Sequence, residues 1–424
     1  MSQFSAAIPL VQLVDPTGKR VSDGTSGIET SGIEAPGIET SGIETSGIET
    51  SGIETSGIET SGIETSGIET SGIETSGIET SGIEMFRALV ADVGPEKLRE
   101  LYRDLVVVRR IDTEATALQR QGQVGLWAPL LGQEAAQVGS AHALTEADYV
   151  FPSYREHGVA YCRGADPQAL LRQWRGSAPS SWTPSEIGMA VPAIVVGAQA
   201  LHATGYALGM KLDDAGGAVI AYFGDGATSQ GDVAEAFTFA ASWQVPVVFF
   251  CQNNQWAISE PVRVQSQVPL GERAAGFGIP GLRVDGNDVL AVLAVTRFAL
   301  RQARAGGGPI LIEALTYRMG PHTTSDDPSR YRSPAELDQW RARDPIDRIR
   351  LLLEREGALD DGQAGAVTRA ADEVAGALRA GCLQTPDPAP EDLFEHVYTD
   401  PHPLIHQQRA ALLAHLATLE GHQR

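Results

Sequence analysis

The apolar positions of this chain follow the helix period in some stretches and run unbroken in others. Leu98, Leu101, Leu105 and Val108 recur at helical spacing, which predicts a helix from Pro95. A second helix is predicted over 135–144, and a small-residue helix over 197–209. The run "AVIAYF" at 218–223 is unbroken and bounded by glycine, and so is a buried strand. "VPVVFFC" at 245–251 is a second such strand, and a helix over 232–243 lies between them. "GLRVDG", a helix over 288–305 and "PILIEALTY" at 309–317 continue the alternation. Apolar strands that alternate with helices indicate an α/β fold, a doubly wound parallel sheet with helices on both faces. From Asp344 the pattern turns helical and more polar, with a proline-rich break at 385–390 and a last helix over 403–419.

One long stretch fits neither rhythm. Residues 25–84 repeat the unit Thr-Ser-Gly-Ile-Glu twelve times, broken only at Ala35-Pro36. A period of five builds no continuous apolar face on a helix or a strand. Its glutamates have no lysine or arginine among them, which favours a solvated, self-repelling segment. The alternative is a small solenoid, which the unit resembles in outline. Glycine beside every isoleucine and the lack of capping residues count against that. We expect an arm (1–24), a disordered insert (25–84), an α/β domain (85–343) and a helical C-terminal region (344–424).

Charge narrows the partners. The formal net charge is −22; the twelve glutamates of the repeat account for twelve of that, leaving −10 on the rest. An acidic body argues against nucleic acid and against an anionic membrane surface. The three cysteines show no metal-type spacing, and a reducing compartment is the simplest expectation. The start "MSQFSAAIPLVQLV" lacks the basic leader of a signal peptide. A cytoplasmic location is expected.

The candidate chemistry lies in "YFGDGATSQGDVAEAFTFAASWQVPVVFFCQNN". Gly224-Asp225-Gly226 ends one predicted strand, and Asn253-Asn254 ends the next. Carboxyl ends of neighbouring parallel strands share one sheet edge, so Asp225 and Asn254 should converge. A carboxylate and an amide oxygen are hard ligands that suit Mg²⁺. Gly226 and Ala227 are expected at a helix N-terminus, where backbone N–H groups favour phosphate. Together these describe a metal-bridged diphosphate site.

This spacing resembles the thiamin diphosphate motif. "VFPSYREHG", "LGQEAAQVGSAHAL", "GIPGLRVDGNDV", "TYRMGPHTTSDDPSRYR" and "DPIDRIR" extend the resemblance to the alpha subunit of the decarboxylating component of 2-oxo acid dehydrogenase complexes. "RVDGNDV" and "GPHTTSDDPSRYR" are more similar to the branched-chain type than to the pyruvate type. The resemblance spans about 94–420 and implies a thiamin diphosphate-binding fold. It implies Asp225, Asn254 and the Trp256 carbonyl as Mg²⁺ ligands. Gly224, Gly226 and Ala227 would lie at the diphosphate, with Tyr154 and Arg155 on the cofactor and Val196 beneath it. His322 would be the catalytic histidine, and would also touch the cofactor. Thr323 stands where the animal enzyme is phosphorylated. The implied reaction is oxidative decarboxylation of a small branched-chain 2-oxo acid, with acyl transfer to the lipoyl domain of an acyltransferase partner. Residues near Leu126-Trp127 are expected to help set pocket size.

Two departures stand out. "RGSAPSSWTPSEIGMAVPAIVVGAQ" is shorter than the family's stretch and lacks its helper histidine, and Gln252 replaces an arginine that often reaches phosphate. No second α/β domain of similar size follows Tyr317 to supply the glutamate that activates the cofactor. The resemblance therefore implies a beta subunit and an assembly of two alpha and two beta chains. The alternatives are a pyruvate or acetoin enzyme, a non-catalytic homologue, and a repeat-based binding module. "IPLVQLVDPTGKR" also resembles the family, which places the repeat as an insertion in the linker behind the arm.

Overall fold

The computed structural model describes residues 8–21, 81–178, 180–192, 194–395 and 397–421. The pentad reading lies outside the described residues, apart from the last four, 81–84, which open helix α1 (Ser81–Ala88). Among the described residues, the chain after the arm resumes at 81, within the last pentad. Six strands form one parallel sheet: β1 (Leu10–Val11), β2 (Tyr149–Phe151), β3 (Val219–Gly224), β4 (Val247–Asn253), β5 (Gly281–Asp285) and β6 (Ile310–Leu315). Their spatial order is β1-β5-β6-β4-β3-β2. The arm is therefore part of the sheet: β1 pairs with β5 at Leu10↔Arg283 and Val11↔Val284.

Two apolar clusters sandwich the sheet, as the unbroken strand runs require. Val219, Ala221 and Phe223 of β3 face one cluster, together with Val247, Phe249 and Cys251 of β4. Ile220, Tyr222, Val248 and Phe250 face the other. The first cluster is closed by α5 (Ala198–Leu212) and α6 (Gly231–Trp243). The second is closed by α2 (Pro95–Arg120), α3 (Glu134–Ala141) and α7 (Val289–Arg304). Each fully buried Leu or Phe contributes about 1.5–3 kcal/mol relative to exposure. α2 buries Leu98, Leu101, Leu105 and Val108 as its spacing predicts, and starts with Pro95 in its first turn. Short α4 (His157–Cys162) packs on α2 and α3.

Asp288 joins arm and body. Its Oδ1 caps α7 by accepting from Leu290 and Ala291 N–H, and its Oδ2 accepts from Leu13 and Val14 N–H of the arm. The C-terminal region adds α8 (Pro334–Arg341), α9 (Pro345–Arg355), α10 (Asp361–Gln384) and α11 (Pro403–Gly421). α10 packs along α2, whereas α11 touches only the turn at Pro390–Phe394 substantially and is largely exposed. Among the described residues, no helix is long and apolar enough to cross a membrane.

Candidate active site

The candidate residues follow the carboxyl ends of adjacent strands. Tyr154 and Arg155 follow β2, Asp225 follows β3, Asn254 and Trp256 follow β4, and His322 follows β6. These strands are neighbours in the order β6-β4-β3-β2, so one sheet edge carries all six residues.

Asp225 is buried, and its carboxyl faces the Asn254 backbone N–H and accepts from Gln265 Nε2 at 3.1 Å. Burial lifts its pKa to about 6, because these close partners are neutral. A buried carboxylate without a bonded cation is suited to hold one. Asn254 Oδ1 accepts from Trp256 N–H at 3.2 Å, and Asn254 Nδ2 donates to Gln133 Oε1 at 3.1 Å. The pair therefore fits a hard dication. The Trp256 carbonyl is different, for it accepts from Arg318 Nη1 at 2.9 Å. A cation at that oxygen would have to share it with a guanidinium.

Gly226 and Ala227 lie in a 3₁₀ turn, Asp225–Ser229, and not at the start of α6 as expected. Gln230 is extended and separates the turn from the helix. A Cβ on Gly226 would meet the Ala257 Cβ at 2.7 Å, so the turn must be bare there. Val196 is 42 % exposed and heads α5 beside exposed Ile194 and Val195. It makes an open apolar shelf and no contact that joins the polar cluster.

His322 is the centre of that cluster. Its Nδ1 faces Arg155 Nη2 at 3.3 Å and Arg318 Nη1 at 3.4 Å, and its carbonyl accepts from Arg155 at 3.0 Å. Burial and the two guanidinium charges lower its pKa to about 3. Two donors at Nδ1 leave the proton on Nε2, so His322 is a neutral imidazole with an Nε2–H to offer. Asp326 accepts from the His322 N–H at 2.7 Å and from the Tyr331 hydroxyl, which also accepts from Arg318 Nη2 at 2.9 Å. Arg332 braces the same loop by donating to the carbonyls of Arg318, Met319 and Gly320. The Tyr154 ring stands edge-on to the His322 ring, with centroids 6.1 Å apart.

Gln252 is engaged within the protein at both ends of its amide. Its Nε2 donates to Glu156 Oε1 at 2.6 Å, and its Oε1 accepts from Gln137 Nε2 at 3.3 Å. Ser153 Oγ donates to the other Glu156 oxygen at 2.7 Å, so this relay fixes the turn that carries Tyr154 and Arg155. Trp127 is held in the core. It is fully buried, its indole donates to Asp112 at 2.8 Å, and it stacks on His157 with centroids 3.9 Å apart. The sequence reading missed Arg318 as the link between the Trp256 carbonyl and His322, and missed Gln265 and Gln133 as partners of the ligand pair. For Arg318 the signal was its place just past a strand end, four residues before the histidine.

The geometry thus pairs a hard-cation position with a part-buried, arginine-flanked imidazole. The family model for the dehydrogenase E1 component matches residues 102–380. The chain belongs to the dehydrogenase E1 component family. It is 46 % identical over 327 residues to the 3-methyl-2-oxobutanoate dehydrogenase subunit alpha of Mycobacterium tuberculosis, covering 77 % of this chain and 89 % of that one. It is 39 % identical over 313 residues to the pyruvate dehydrogenase E1 component subunit alpha of Bacillus cereus, covering 73 % and 84 %. The Staphylococcus aureus protein of that same name is 39 % identical over 294 residues, covering 69 % and 80 %. E1 components are thiamin diphosphate-dependent oxidoreductases.

Proposed function

We propose that this E1 component is the alpha subunit of a branched-chain 2-oxo acid dehydrogenase, oxidatively decarboxylating substrates such as 3-methyl-2-oxobutanoate and passing the acyl group to a lipoyl-bearing acyltransferase. When bound, thiamin diphosphate supplies the thiazolium nucleophile and the electron sink for decarboxylation. Asp225 and Asn254 would hold Mg²⁺, and the Trp256 carbonyl, which accepts from Arg318, would be the third candidate ligand. The bare turn at Gly224, Gly226 and Ala227 admits the diphosphate, and Arg155 and Tyr154 flank it. Val196 forms an apolar support. His322 offers Nε2–H to the reacting oxygen as the neutral donor of the site.

One observation carries this reading: a hard-ligand pair and an arginine-flanked histidine on one sheet edge that is open on its far side. Val191, Ile194, Val195 and Val196 are exposed there. On α5, Gly205 and Gly209 have open space where a side chain would stand, beside exposed Tyr206. Apolar exposure of this kind marks a face that another chain covers. A beta chain completes the site, in an assembly of two alpha and two beta subunits.

The test is turnover by the reconstituted assembly. Efficient turnover of 3-methyl-2-oxobutanoate over pyruvate supports the reading, whereas preference for pyruvate moves the chain to the second reading, a pyruvate enzyme, which the 39 % identical relatives favour. Decarboxylation by this chain alone would refute the two-chain assembly.

A further inference from the structure

Away from the cofactor edge, three helices bring together a carboxylate, an imidazole and a thiol. Asp104 lies on α2, His142 caps the C-terminus of α3, and Cys162 ends α4. One ligand atom from each lies within 4.8 Å of the others. His142 Nε2 is 2.8 Å from Asp104 Oδ2. Arg103 holds the other oxygen, Asp104 Oδ1, through Nε at 3.0 Å and Nη2 at 2.9 Å. Cys162 is a free thiol; the residue is part-buried, while the thiol itself is buried, and that burial pushes its pKa up.

We propose that Asp104, His142 and Cys162 form a second metal site, selective for a zinc-class divalent ion. Thiolate, imidazole and carboxylate together are a borderline-soft set that prefers zinc to magnesium. The outer contacts are already placed. A metal on Nε2 requires Nδ1 to carry the proton and donate it, and Glu100 Oε1 stands 3.9 Å from Nδ1. Lys97 Nζ bridges His142 Nδ1 and Glu100 Oε2, both at 2.9 Å. When the metal enters, Lys97 gives up Nδ1, and Glu100 accepts the Nδ1–H. That produces the carboxylate–histidine–metal arrangement common at zinc sites. The binding step is balanced by release of the thiol proton and by transfer of the imidazole proton from Nε2 to Nδ1. Three protein ligands leave one position for water.

The position gives the site a consequence. α4 starts directly behind Tyr154, Arg155 and Glu156, and Cys162 is its last residue. Six residues span about 9 Å, so an ion there would clamp the far end of the helix that carries the cofactor turn.

The experiment uses the full chain in its native assembly, stripped with a chelator and titrated with cobalt(II) under reducing, oxygen-free conditions. One equivalent per chain should give a cobalt–thiolate charge-transfer band, and zinc should bleach it. Cobalt at Asp225 and Asn254 has no thiolate and gives no such band. Cys162→Ser should remove the band while circular dichroism stays unchanged, and Glu100→Gln should weaken cobalt binding about tenfold or more. A wild-type assembly that shows no band overturns the proposal. So does a Cys162→Ser assembly that keeps the band.

Discussion

His322 works as a neutral group because Arg155 and Arg318 point at its Nδ1. Removing one of those charges should raise its pKa from about 3 toward the ordinary 6.5. Arg155→Met followed by imidazole NMR titration tests this, and an unmoved pKa would show that the Arg155 charge does not set it. His322→Ala should lower kcat by at least about 100-fold, the usual worth of a placed hydrogen-bond donor to a reacting oxygen, while calorimetry finds cofactor still bound. A second depressed histidine, His157, is buried against Trp127, with its pKa also about 3. Its folded pKa lies below the unfolded value, so the native state refuses a proton that the unfolded state accepts. That stability is full above pH 6.5 and is lost as pH falls toward about 3. Between pH 6.5 and about pH 5 the loss is about 2 kcal/mol, and His157→Phe should flatten that part of the urea-unfolding pH profile.

The helices and strands were legible where apolar pattern sets them. α2, α5, α6 and α7 and strands β3, β4, β5 and β6 match their spacing within a few residues. β1 and β2 were not legible as strands, because two or three residues carry no period and their pairing comes from β5 and β3. The 3₁₀ turn at Asp225–Ser229 escaped for a related reason: glycine-rich sequence does not say which helical turn it closes. In the candidate site, Asp225, Asn254 and His322 could be named because strand ends gather ligands. The roles of Arg318 and Gln265 depend on contacts with residues about 40 to 60 positions away, which spacing does not reveal. Contacts between elements also predict their own weak points. A Cβ on Gly139 of α3 would sit 2.8 Å from the Val289 carbonyl and 2.9 Å from the Val292 Cβ of α7. Gly139→Ala should therefore cost about 1–3 kcal/mol in urea unfolding. Asp288→Ala removes a helix cap and strands two buried arm N–H groups, a loss of about 2 kcal/mol or more. Limited proteolysis should then cut the arm first.

The whole molecule is a sheet whose edge strand is separated from the body by a long repeat. Assembly should be set by the exposed faces of α5 and α11, so light scattering should find the chain associating with its beta partner at two of each. Shortening 25–80 to a few residues should leave both assembly and turnover intact; loss of either would assign the repeat a task. The geometry at its borders explains that expectation. Arg87 of α1 donates to the Val21 carbonyl at the end of the arm and to Glu84, so the arm's end is tied to the first helix after the repeat. Closure entropy of such a connection rises only about 0.6 kcal/mol per doubling of length, so its length is weakly constrained once it reaches across. The unit is five codons long, so slippage during replication adds or removes whole pentads without shifting the reading frame. Isolates of one lineage should therefore differ in pentad number at this locus while the flanking enzyme stays constant, making the segment a length marker for strain typing.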